Sequence, residues 1–148
     1  MIQNQAQPVR SEIAAQGEVA SVVQMGDQRG RLLGFPTANL YPTTVDRWER
    51  GVYAGVAHAD DQVWWPAAVN VGARPTFTGG TGPCSMEVHL IGFDGDIYGQ
   101  MLTVRLIERL RDEVRFESVE ALVDQLRHDV QTASSIVDRV GSRLDRPR

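Results

Sequence analysis

Residues 85–90 read Ser-Met-Glu-Val-His-Leu, and the pattern in this short run sets the terms for the rest of the chain. Successive strand side chains point to opposite faces, so Met86, Val88 and Leu90 share one face while Glu87 and His89 share the other. The spacing predicts a strand with a core face and a polar outer face. Taken alone, Glu87 is either a solvated strand residue or a base for a bound alcohol, and the strand leaves both readings open. His89 reads as a surface or cross-strand partner. His58 and His128 lie far away in sequence, so no histidine is given a role.

Similar short runs occur on both sides, at residues 18–23, 52–57, 63–71 and 101–107, separated by clusters of Gly, Pro and Asp. Several short strands with turn residues between them predict a barrel or a sandwich. The period changes after Phe116, where Val119, Leu122, Val123, Leu126, Val130 and Val137 recur at helical spacing. One helix follows the strands and is expected to pack across them. Ser118 is placed to cap its first turn, and Glu120 to complement the positive end of its dipole. The expected organisation is one domain over residues 17–140, with tails at 1–16 and 141–148.

Composition bounds the function. The chain has 148 residues, 42% apolar and 23% charged, which suits one globular domain rather than a disordered chain. A formal net charge of -4 offers no field for a phosphodiester backbone or an anionic membrane, so neither is an expected partner. No run approaches membrane-spanning length and the first ten residues lack a signal-peptide core, so a cytoplasmic location is expected. All 15 basic residues are Arg. Without Lys there is no Schiff base and no P-loop lysine, so phosphate handling must rest on backbone N–H groups, Arg and metal. Cys84 is the sole cysteine and reads as structural.

Residues 26–40, GDQRGRLLGFPTANL, place Gly26, Gly30 and Gly34 four residues apart ahead of Phe35 and Pro36. Glycines so spaced either turn N–H groups toward a polyphosphate, with Arg29 or Arg31 adding charge, or form an ordinary connection. Pro36 holds Phe35 extended, and if the chain stays extended Thr37 and Asn39 project from one side. Their hydroxyl and carbonyl oxygens are hard ligands suited to Mg²⁺, although the same pair can bond its own backbone in a turn. Residues 110–116, LRDEVRF, set Arg111, Asp112, Glu113 and Phe116 just before the helix, either to contact a planar ring or as a charged loop. The chain has no G-x-S-x-G elbow, no paired cysteines, no H-E-x-x-H and no dinucleotide fingerprint.

Five segments in order, GDQRGRLLGFPTANL, GVYAG, VNVGARPTF, EVHLIGFDGDIYG and LRDEVRF, resemble the riboflavin kinase family, and in particular the kinase module of bacterial bifunctional riboflavin kinase/FAD synthetases. The resemblance covers about residues 17–130. It implies a six-stranded Greek-key barrel with a C-terminal helix, ATP under a glycine-rich flap, and riboflavin entering from the opposite side. It implies transfer of the γ-phosphate of Mg-ATP to the ribityl 5′-hydroxyl of riboflavin, giving FMN. Thr37 and Asn39 match the Mg²⁺ and phosphate contacts, Glu87 the glutamate that activates the hydroxyl, and Arg111 a flavin-side arginine. Gly26, Gly30, Arg31, Gly34, Phe35 and Pro36 complete the implied ATP site, and Asp112, Glu113 and Phe116 the flavin site. The sequence departs at Gly92, where an acidic residue is common, and in residues 78–83. No counterpart of the synthetase half is found, so the expected product is FMN, made by a monomer with a separate FAD synthetase as the expected partner. The rivals are a noncatalytic flavin or nucleotide sensor on the same barrel and an oligonucleotide-binding barrel; 7% aromatic content and the acidic balance weigh against the second.

Overall fold

The computed structural model describes residues 17–26, 29–42, 48–59, 63–75 and 81–144. Six strands, β1 (Gly17–Val22), β2 (Ala38–Leu40), β3 (Gly51–His58), β4 (Trp65–Pro75), β5 (Thr81–Leu90) and β6 (Met101–Arg111), form one antiparallel sheet in the order β1-β6-β3-β4-β5-β2. The run β6-β3-β4-β5 is a Greek key: three hairpin-linked strands and a fourth that returns beside the first. The sheet curls until its edges meet, because the chain beyond β1 bridges to β2 at Gln24 and Asn39, with Gln24 N donating to Asn39 O at 2.8 Å. One turn of helix, α1 (Arg29–Leu32), precedes β2, and α2 (Val119–Leu144) follows β6.

Alternation decides what the barrel encloses. Leu40 and Ala38 of β2 lie opposite Met86 and Val88 of β5, and all four are buried with Val69, Val71, Leu102, Val104 and Leu106. The same pleat turns Ala54 and Val56 of β3 outward, where they meet Ala133, Ile136 and Val137 of α2. Buried on both sides, β3 reads as a continuous apolar run.

Strand β6 carries two register shifts against β3. Leu106 pairs with Gly55 but Glu108 with Ala54, and Arg109 pairs with Tyr53 but Arg111 with Val52. Each shift leaves one extra residue, Ile107 and then Leu110, and both pack toward α2. The strand thus runs to Arg111, past the expected end at residue 107, and changes the face it buries along the way. Gly51, with φ of 152°, makes room for this end of β6, since a Cβ there would run into the Arg111 carbonyl and the Arg109 guanidinium.

Ser118 caps α2 as its sequence context predicts: Ala121 N donates to Ser118 Oγ at 3.1 Å. The apolar stripe of this helix then divides. Its C-terminal half, from Val130 through Val140, seals the outside of the sheet, whereas Leu122 and Leu126 line an open cleft and Val119 is 53% exposed. No helix among the described residues is long and apolar enough to cross a membrane.

Candidate active site

One row of the sheet assembles the polar residues. Asn39 of β2 lies opposite Glu87 of β5, Glu87 opposite Asn70 of β4, Asn70 opposite Val52 of β3, and Val52 opposite Arg111 of β6. Directly opposed residues share a face, with Cβ atoms about 4.5–5.5 Å apart, so the row presents an amide, a carboxylate and a second amide side by side. Arg111 joins this row because of the Leu110 shift.

Glu87, Asn70, Val52 and Arg111 of this row floor a cleft of about 720 Å³ between the outer face of the sheet and the N-terminal half of α2, whereas Asn39, at the end of the row, lines neither this cleft nor the smaller cavity beyond it. The cleft walls include Thr37, Glu87, His89, Arg111, Glu113 and Phe116, with Val119, Leu122 and Leu126 on the helix side. A second cavity of about 200 Å³ lies between Arg31 and Pro36 on one side and residues 93–98 of the β5–β6 connection on the other. Thr37 lines both cavities. It stands at the partition between them, two residues from Asn39.

Asn39 is 7% exposed, and Gly26 lies so close that a Cβ there would overlap the Asn39 carboxamide. This contact gives Gly26 a packing role against a site residue. Gly30 acts through its backbone instead. Its carbonyl accepts from Leu33 N at 3.1 Å and from Phe35 N at 2.7 Å, while Gly34 N donates to Arg31 O at 3.2 Å. Gly34 takes a φ of 87°, which favours glycine. The N–H groups of Leu33, Gly34 and Phe35 are therefore engaged within the turn itself. Residues 27 and 28, in the middle of the glycine-rich segment, lie outside the described residues.

On the flavin side of the expected site, Arg111, Glu113 and Phe116 meet at the cleft, and Asp112 does not. The Asp112 carboxylate accepts from Arg109 Nη2 at 2.6 Å and is largely exposed. Arg111 is held by Asp129 of α2 through a two-pronged ion pair, Nε to Oδ1 at 2.9 Å and Nη2 to Oδ2 at 2.7 Å. Its guanidinium carbon lies 5.9 Å from the Phe116 ring centroid. Glu113 accepts from Asn70 Nδ2 at 3.4 Å and packs against the bare Cα of Gly72.

His89, given no role from sequence, is half-buried at the cleft wall. Its Nδ1 donates to Pro36 O at 2.7 Å, and its ring meets Phe35 edge-on at 5.7 Å. Burial pushes its pKa below the ordinary 6.5, opposed by the Pro36 bond. The ring ties β5 to the Pro-Thr-Ala-Asn corner.

Sequence reasoning missed two polar residues, Asn70 and Asp129. An Asn amid the apolar run of β4 was a signal, since Asn is depleted in strands. Asp129, between Leu126 and Val130 on the helix, gave no sign of its partner, 18 residues back in β6. Among the described residues no three His, Cys, Asp or Glu side chains cluster to hold a metal. Thr37 and Asn39 carry neutral oxygens of the kind a hard divalent cation takes, and Glu87 lies opposite Asn39 in the sheet.

Proteins of similar sequence and fold are known. Residues 14–137 match the riboflavin kinase (flavokinase) family profile. A bifunctional riboflavin kinase/FMN adenylyltransferase of Pseudomonas fluorescens is 40% identical over 118 residues, covering 80% of this chain and 37% of that protein. An RNA-binding riboflavin kinase of Bacillus subtilis is 32% identical over 123 residues, covering 83% of this chain and 52% of that one. The crystal structure of riboflavin kinase from Trypanosoma brucei shares the fold, with a TM-score of 0.60 at 20% identity over 88% of this chain and 90% of that one. The chain thus spans between a third and about half of the length of these two curated relatives. With the profile matched across most of its length, the chain belongs to the riboflavin kinase family.

Proposed function

We propose that the chain phosphorylates riboflavin at the ribityl 5′-hydroxyl with Mg-ATP, releasing FMN and ADP. The observation that carries this reading is the row Asn39, Glu87, Asn70 and Arg111, with Thr37 at the partition between a large, partly apolar cleft and a smaller cavity. A flat ring system suits the large cleft, between the sheet face and the apolar side chains of Leu122 and Leu126. The nucleotide phosphates belong on the other side of Thr37, in the cavity that Arg31 lines together with Asp94 and Asp96.

In this reading Thr37 and Asn39 would hold the Mg²⁺ that accompanies the nucleotide, which would supply positive charge against the phosphate oxygens. Glu87 accepts the proton of the ribityl hydroxyl as that oxygen forms its bond to the γ-phosphorus and the bond from phosphorus to the bridging oxygen of ADP breaks. Asn39 and Asn70 flank this carboxylate in the row, with the Asn70 amide donating to Glu113. His89 holds the Phe35–Pro36 backbone to β5, which keeps Thr37 at the partition. Exclusion of water by the turn at residues 29–34 would prevent hydrolysis of ATP.

The test is direct. Purified chain is incubated with riboflavin, ATP and Mg²⁺, and the flavins are separated by chromatography. FMN is expected only when all three are present. Unchanged riboflavin in the complete mixture would reject the activity, and binding of flavin without turnover would favour a sensor.

A further inference from the structure

Asp129 is the one carboxylate among the buried side chains of the described residues, and the proposed chemistry does not use it. It is 3% exposed, on α2, at the wall of the large cleft. Both its oxygens are occupied, Oδ1 by Arg111 Nε and by Gln125 Nε2, each at 2.9 Å, and Oδ2 by Arg111 Nη2 at 2.7 Å. A buried ion pair of this kind is a poor means of fastening a helix to a sheet, since desolvation offsets most of the attraction and a matched apolar pair often serves as well or better. The pair supplies direction instead.

Arg111 sits at a junction. The register shift at Leu110 aims it out of β6, and Asp129 then fixes the plane of its guanidinium from the helix side. Its remaining Nη1 donates to the Asp112 carbonyl at 2.9 Å, the first peptide of the segment that carries Glu113 and Phe116 along the cleft. The planar fork can satisfy two carboxylate oxygens and this carbonyl only in one orientation. Strand end, helix and cleft wall are therefore locked through a single guanidinium.

Resting on the riboflavin kinase reading, we infer that Asp129 is a positioning residue for the flavin: it acts through Arg111 to set the 112–116 wall, and it governs riboflavin affinity while leaving the nucleotide side alone. Asp129 lines the large cleft and is absent from the lining of the smaller cavity beyond Thr37.

The experiment uses the full chain. Riboflavin binding is titrated by flavin fluorescence quenching, and KM is measured for each substrate in turn. Asp129→Asn keeps the shape and the Gln125 partner while removing the charge. It is expected to weaken riboflavin binding and raise its KM by about tenfold or more, equivalent to about 1.4 kcal/mol, with KM for ATP within about twofold of wild type. Asp124→Asn, exposed on the same helix, serves as the control and leaves both constants unchanged. If Asp129→Asn does not fold, Arg111→Lys keeps the positive charge but loses the fork, and the same selective loss is expected. Riboflavin affinity within about twofold of wild type in the folded variant, or a parallel loss for both substrates with a lowered Tm, overturns the assignment. Wild-type chain that makes no FMN would reject the kinase reading; an active wild type with a silent Asp129→Asn would reject only this inference.

Discussion

Glu87 and His89 leave the same strand on the same face, yet their surroundings give them different work. Glu87 lies between Asn39 and Asn70 in the cross-strand row, on the floor of the large cleft. Replacing it by Gln keeps the shape and removes the proton acceptor. Glu87→Gln is expected to lower kcat by about 10²–10⁴-fold with ATP binding nearly intact, measured by steady-state kinetics and nucleotide titration; unchanged turnover would reject the base. His89 is held neutral by burial, with a folded pKa below 6.5. The unfolded chain therefore binds a proton more readily, and the stabilising contribution, fully present above pH 6.5, is lost as pH falls through that value toward the lower folded pKa. Urea midpoints between about pH 7.5 and 5 should fall for the wild type and fall less for His89→Gln; parallel curves would show that His89 does not contribute. Alternation alone placed both residues on the outer face. It said nothing of Pro36, 53 residues back, whose carbonyl explains why a histidine stands at 89. Gly92, a departure from the family pattern, takes a φ of 83°, where glycine is the least strained residue.

At the scale of the element, α2 shows how a correct period can conceal two functions. The apolar positions from Val119 to Val137 recur at helical spacing and read as one core face. In the fold only the C-terminal part packs its apolar side chains on the sheet, while the cleft opens under the other half, where Asp129 reaches Arg111. Two substitutions separate these roles. Ile136→Ala, at a site 6% exposed against the sheet, should cost about 2–5 kcal/mol of unfolding free energy. Leu126→Ala, at the cleft, should cost less stability and weaken riboflavin binding more; denaturant unfolding and fluorescence titration measured on both variants decide it. Equal losses of stability would place Leu126 in the core. Strand β6 makes the complementary point. Its alternation is legible through Leu106, and the shifts at Ile107 and Leu110 then hide the rest, because a period of two cannot be followed through an inserted residue.

For the whole molecule, the cleft and the cavity meet at one residue, Thr37, so occupation of both should tie the 26–40 segment, β5 and α2 together. A ligand bound only to the folded chain stabilises it by about 2.7 kcal/mol at a hundred times its Kd. Riboflavin alone and Mg-ADP alone should each raise Tm, and the two together should raise it further, as read by calorimetry. A riboflavin shift that survives Leu126→Ala and Asp129→Asn unchanged would place the flavin outside this cleft.

The residues themselves determined the strand faces, the terminal helix and its Ser118 cap, and the order of the segments that resemble riboflavin kinases. These depend on local periodicity and on short spans of chain, which a linear text preserves. Only tertiary structure decided that Asn39, Glu87, Asn70 and Arg111 occupy a single cross-strand row, that Asp129 holds Arg111, and that half of an apolar stripe lines a cleft. Strand pairing joins residues from distant parts of the chain, and neither a bulge nor the depth of a buried charge is encoded in the spacing of its neighbours.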